Sequence, residues 1–143
     1  MNTHKNIFIG GISGGIGSSV AKILSNQQHT VSGYARTEEK LARLKSELPG
    51  IHTFSADATD TNDLANSFKA AQEAMGSIDV YIHAIGSIII KPAHLTNQAQ
   101  WLDTLNLNLS SAFYALKEAV AIMQKQSHGS LVFYSSTAAR IGV

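Results

Sequence analysis

The stretch Gly10-Gly11-Ile12-Ser13-Gly14-Gly15-Ile16-Gly17 places five glycines within eight residues, directly after the apolar run from Asn6 to Gly10. Ile16, Val20, Ile23 and Leu24 follow at helical spacing, so the glycines join a short strand to a helix. Few features constrain a fold as tightly, because a strand that turns at once into a helix opens a parallel α/β sheet. Backbone amides in such a turn point outward at the positive end of the helix, and the absent side chains let a pyrophosphate come close. The turn therefore reads as a phosphate-binding element; without its strand and helix it would be only a tight connection.

The rest of the chain repeats the alternation. His29 to Ala35 is β-prone, and Thr37 is placed to cap a helix through Leu48 that turns Leu41, Leu44 and Leu48 inward before Pro49-Gly50 ends it. Ile51 to Ser55 predicts a third strand, and Thr61 the cap of a helix with Leu64, Phe68, Ala71 and Met75 on one face and Gly76 at its end. Ile78 to Ala84 is nearly all apolar, as a central strand covered on both faces should be. Residues 86 to 98 read as irregular, 101 to 126 as one long helix, and Ser130 to Ser135 as the fifth strand.

Parallel strands need long crossovers, and those crossovers are right-handed. The expected architecture is a Rossmann-type doubly wound parallel sheet in the order 3-2-1-4-5, formed by residues 1–143 as a single nucleotide-binding domain. The first two helices should lie on one face and the next two on the other. A crevice then opens at the carboxyl ends of strands 1 and 4, where the order reverses.

Composition narrows the partners. A hydrophobic fraction of 44% against 15% charged residues suits two-sided burial, and a net charge of +1 gives no electrostatic case for nucleic acid or an anionic membrane. No apolar run approaches a membrane span and the first residues lack a signal-peptide core, so a cytoplasmic location is the default expectation. Cysteine is absent and the six histidines are scattered, which leaves no metal-ligand pattern.

The second strand ends Gly33-Tyr34-Ala35-Arg36-Thr37, where a dinucleotide fold reads the adenosine ribose. No carboxylate stands there to accept from a 2′-hydroxyl. Arg36 can pair with a 2′-phosphate instead, so NADP is expected over NAD. Arg36 as an unengaged surface residue is the competing reading.

With these residues in view, the chain resembles the short-chain dehydrogenase/reductase family over nearly its whole length. The turn matches TGxxxGxG at Gly11, Gly15 and Gly17, with Gly10 where Thr is usual and Ser13 and Ile16 at variable positions that line the nucleotide. Asp57 stands at the family's adenine-contacting acid, or is merely a loop carboxylate. His83-Ala84-Ile85-Gly86 occupies the place of NNAG, of which Gly86 and the small Ala84 survive, and His83 is expected to brace the sheet. Asn108, by its spacing to Phe113, matches the family's catalytic Asn better than Asn106 does. Ser136, beside Ser135, matches the catalytic Ser of GSIVNISS.

The resemblance implies hydride transfer between a nicotinamide and a small carbonyl or alcohol substrate. In the family the Ser works with a Tyr and a Lys spaced as YxxxK on the following helix. Four residues after Tyr34, Tyr81, Tyr114 and Tyr134 stand Glu38, Ile85, Glu118 and Ala138, so no such pair is present, and Val143 lies only seven residues past Ser136. The expectation is a truncated family member without turnover of its own; a complete, non-catalytic nucleotide-binding protein is the alternative. A homo-oligomer is expected from Leu105, Leu109, Phe113, Leu116, Val120 and Met123, an apolar stripe on a helix already apolar elsewhere.

Overall fold

A computed structural model describes residues 4–141. Five parallel strands form one sheet in the order β3-β2-β1-β4-β5, as the alternation predicts. They are β1 (Asn6–Gly10), β2 (Thr30–Ala35), β3 (His52–Ser55), β4 (Val80–His83) and β5 (Ser130–Phe133). In register, Ile9 pairs with Gly33 on one side and Ile82 on the other, so the glycine turn leaves the sheet between β2 and β4.

The sheet sorts its side chains with a period of two. Ile7, Ile9, Val31 and Ile82 pack under α1 (Gly15–Asn26) and α2 (Glu38–Glu47), against Ala21, Leu41 and Leu44. Phe8, Tyr34 and Tyr81 face α3 (Thr61–Met75) and α5 (Ser111–Gln126), against Leu64, Phe68, Ala115, Ala119 and Met123. The Phe8 and Phe68 rings meet edge to face at 4.9 Å. Each fully buried side chain of this size contributes about 1.5–3 kcal/mol.

Several elements differ from the sequence expectation. Asp60, not Thr61, caps α3: its Oδ1 accepts from the amides of Asn62 at 2.8 Å and Asp63 at 3.0 Å, while Thr61 is already helical. Thr37 holds the N-cap position of α2 but makes no side-chain cap bond. The long helix is interrupted. A capping box of Asn97 and Gln100 starts α4 (Gln98–Leu105), and a π-helical turn over Asn106–Ser110 joins it to α5.

The core-facing stripe of α5 shares only Met123 with the apolar stripe expected to serve self-association. Ser111, Ala115, Ala119 and Met123 are buried, whereas Leu109 and Phe113 are 65% and 60% exposed. Small residues let the helix lie close to the sheet and turn the bulky ones outward. β5 ends at Phe133 rather than Ser135, which puts Ser135 and Ser136 in the segment beyond the strand.

Candidate functional site

The glycine turn is held by backbone bonds. The amides of Gly11 and Ile12 both donate to the Tyr34 carbonyl, at 2.9 and 3.2 Å, and that of Gly14 donates to the Gly11 carbonyl at 2.9 Å. Gly11 has φ +77°, and a Cβ there would stand 2.8 Å from the carbonyl oxygen of Ala84. A Cβ on Gly17 would collide with the Gly11 carbonyl, so Gly17 is required by the turn itself. Gly15 differs: its Cβ would project into open space. The fold does not need that glycine, but a group approaching the turn from outside does.

The N-terminus of α1 is correspondingly free. Its cap residue is Gly14, no side chain caps it, and no acidic residue stands in its first turn. The leading amides of α1, at Gly15, Ile16 and Gly17, have no partner within the helix. Together with the open space at Gly15, they suit an anionic group such as a pyrophosphate.

Beside the turn, a cavity of about 130 Å³ opens at the carboxyl ends of the central strands. Ala35 at the end of β2, Arg36 just after it, Asp57 after β3, Ala84 and Gly86 after β4, and Leu107 line it. Four of the residues singled out from sequence therefore line one cavity, Arg36, Asp57, Ala84 and Gly86, and Gly11 approaches it through the Ala84 carbonyl. Burial raises the Asp57 carboxyl, but the amide and hydroxyl of Thr59, both donating to Oδ1 at 2.9 and 2.8 Å, and the Arg36 charge hold it below the usual carboxylate range. Arg36 itself is exposed.

Ser13 lies on the other side of the turn. It lines a groove of about 280 Å³ with Ser18, Lys22, Lys40 and Arg43. Glu47 engages Lys22 at 2.7 Å and Arg43 at 3.1 Å, while Lys40 makes no ion pair among the described residues.

Asn108 sits in the π-turn. Its Oδ1 accepts from the Ser87 amide at 2.9 Å and its Nδ2 donates to the Thr104 carbonyl at 3.0 Å, tying the turn to the loop after β4. The same Oδ1 would lie 3.1 Å from a Cβ on Gly86, so the two positions are in close approach. Asn106 makes no comparable side-chain contact. Next to Ser87, a cavity of about 650 Å³ lies between this loop and α4, lined by Ile88, Ile89, Lys91, Trp101 and Thr104.

Ser136 caps a short 3₁₀ turn (Thr137–Ala139), its hydroxyl oxygen accepting from the Ala138 amide at 3.2 Å. It is exposed, and no hydrogen bond joins it to Asn108 among the described residues. Two of the four tyrosines offer it no proton donor. Tyr34 and Tyr81 are fully buried, and burial pushes both hydroxyls far above their usual range. His83 is buried in the sheet centre, which pushes its imidazole down to about 4 and keeps it neutral.

A family model described as short chain dehydrogenase matches residues 5–143. The chain belongs to the short-chain dehydrogenase family. Among curated relatives, a 3-oxoacyl-[acyl-carrier-protein] reductase of Staphylococcus aureus is 26% identical, covering 99% of this chain and 60% of that protein. An uncharacterized oxidoreductase of Staphylococcus epidermidis is also 26% identical, over 93% of this chain and 58% of its own length. The chain thus spans somewhat more than half the length of the relatives it matches.

Solved structures agree on the fold. A short-chain type dehydrogenase/reductase from Mycobacterium ulcerans superposes with a TM-score of 0.93 at 27% identity, covering 97% of this chain and 54% of that one. A variant of the actinorhodin polyketide ketoreductase, solved with NADPH, gives 0.94 at 23% identity over 100% and 57%. No helix among the described residues is long and apolar enough to cross a membrane.

Proposed function

We propose that this chain is the nucleotide-binding part of an NADP(H)-dependent oxidoreductase that acts on a small carbonyl or alcohol substrate. The observation that carries the reading is the uncapped N-terminus of α1 with open space at Gly15, together with a cavity lined by Arg36 after β2 and by Ala84, whose carbonyl abuts Gly11 of the same turn. The amides at Gly15, Ile16 and Gly17 would hold the pyrophosphate. Arg36, on the strand end where an NAD site carries a carboxylate, would hold the 2′-phosphate, with Ser13 and Lys40 on the neighbouring groove. Asp57, Ala84 and Gly86 would border the adenosine. When bound, the nicotinamide supplies or accepts the hydride.

On the substrate side, Ser136 would hold the substrate oxygen and Asn108 would anchor the loop after β4. Neither can exchange a proton at neutral pH. No tyrosine of this chain is followed by a lysine four residues on, so the 143-residue protein is expected to bind nucleotide without steady turnover. That same observation favours a second reading, a nucleotide-binding protein with no catalytic role.

Fluorescence titration with NADPH and NADH tests the first proposal. Arg36→Ala should weaken NADPH by about 1.5–3 kcal/mol, the worth of a charge-assisted contact, and leave NADH nearly unchanged. Equal losses for the two nucleotides would remove Arg36 from the site. Steady NADPH oxidation by the purified 143-residue protein across a panel of ketones would contradict the expected lack of turnover.

A further inference from the structure

Four buried polar side chains run in a line across the face of the sheet that packs on α3 and α5. The Tyr34 and Tyr81 hydroxyls are 2.9 Å apart, and the Tyr81 hydroxyl is 2.8 Å from His83 Nδ1. His83 Nε2 is 3.3 Å from Ser111 Oγ, which is 2.6 Å from the carbonyl oxygen of Leu107. All four residues are less than 5% exposed.

The far end fixes the direction of every bond. A carbonyl only accepts, so the Ser111 hydroxyl donates to Leu107, and its oxygen is left to accept from His83 Nε2–H. A neutral imidazole protonated at Nε2 accepts at Nδ1. Tyr81 therefore donates to His83, and Tyr34 donates to Tyr81. The opposite tautomer would leave Nε2 facing an oxygen whose proton is already given away, a buried acceptor without a donor.

The line ends where the helix departs from α geometry. In the π-turn the Ser111 amide reaches the Asn106 carbonyl rather than that of Leu107, one residue further along. The Leu107 carbonyl is thereby freed from the Ser111 amide, and the Ser111 hydroxyl bonds it instead. This is the turn that carries Asn108. We propose that His83 is a positioning residue: by holding the Ser111 hydroxyl on the Leu107 carbonyl, it keeps residues 106–110 in the π form and so fixes Asn108 against the Ser87 amide.

Gly10 belongs to the same arrangement. A Cβ there would lie 2.6 Å from the Tyr81 hydroxyl oxygen and 2.7 Å from that of Tyr34, so the two hydroxyls fill the space that a side chain at position 10 would claim. The consequence for chemistry rests on Asn108 belonging to the site as proposed above; the positioning of the turn does not.

Nuclear magnetic resonance on the 143-residue protein tests it. Long-range proton–nitrogen spectra at pH 7 should show His83 neutral with its proton on Nε2; a ring protonated on Nδ1, or charged, overturns the proposal. The Ser87 amide should exchange with solvent about ten-fold faster in Ser111→Ala, His83→Leu and Gly10→Ala, while Phe8 and Ile9 in β1 stay within about two-fold of the parent. Ser111→Thr keeps the hydroxyl and should keep the slow exchange. Unchanged Ser87 exchange in Ser111→Ala overturns the proposal, as does a Thr variant that behaves like the Ala variant. If His83→Leu or Gly10→Ala fails to fold, the tautomer and the Ser111 pair still decide. NADPH titration of the parent protein is read separately: failure to bind would count against the functional reading and leave these outcomes intact.

Discussion

At the scale of single residues, His83 makes the most definite statement about solution behaviour. Its imidazole titrates near 6.5 in an unfolded chain and at about 4 in the folded one. Between those values the unfolded chain binds a proton that the folded chain refuses, so the contribution of His83 is fully present above pH 6.5 and is lost as pH falls toward 4. The full shift corresponds to roughly 3 kcal/mol. Asp57 and Asp79 add losses at lower pH, since their folded carboxyls lie below the usual range. For both, burial acts in the opposite sense and is outweighed by donated hydrogen bonds, from Thr59 to Asp57 and from the Asn6 amide and His128 to Asp79. Urea midpoints should fall between pH 7.5 and 4.5, and His83→Asn should flatten that fall; an equal fall in the variant would mean that other groups carry it.

Residues whose role depends on position along the chain were legible from sequence, and residues whose role depends on contacts across it were not. Gly11, Gly17 and Arg36 stand at fixed offsets from a strand end, and the structure puts the two glycines in the turn after β1 and Arg36 at the cavity beside Ala84. Nothing local to Tyr34, Tyr81, His83 or Ser111 shows that their polar atoms align, because they come from three elements whose register is set only by the sheet.

At the scale of elements, the glycine turn separates folding from binding within one helix. A methyl on Gly17 must displace the backbone of Gly11, so Gly17→Ala should cost about 1–3 kcal/mol in thermal or urea unfolding, as overpacking does. A methyl on Gly15 meets nothing and improves helix propensity, so Gly15→Ala should leave stability within about 1 kcal/mol of the parent while weakening NADPH. Equal stability effects in the two variants would contradict this division. The break between α4 and α5 was hidden because apolar residues continue through it; what distinguishes 106–110 is the bonding of Ser111 and Asn108, which periodicity does not report. Asp60 lost out to Thr61 in the sequence reading for a similar reason, since both are capping residue types and only the backbone of Asp60 is extended.

At the scale of the whole molecule, the right-handed path leaves the outer face of β5 without a helix. Leu131 packs against the α3/α5 core, whereas Val132 on the opposite face is 42% exposed; Phe133, on the Leu131 face beside Tyr81 and His83, is 40% exposed. Leu109 and Phe113 add apolar surface from the helical side. Patches of this kind are uncommon on soluble monomers, so the chain should self-associate, and light scattering at low micromolar concentration should give at least a dimer mass. A monodisperse monomer there would mean that these surfaces are tolerated in water.

The central claim concerns two phosphate positions, and phosphorus resonance reads both in one spectrum. On adding the protein to NADP⁺, the pyrophosphate signals should shift through contact with the α1 amides and the 2′-phosphate signal through contact with Arg36. In Arg36→Ala the pyrophosphate shift should persist and the 2′-phosphate shift should vanish. A 2′-phosphate signal unmoved by the parent protein while the pyrophosphate responds, or no response from either, would contradict the account.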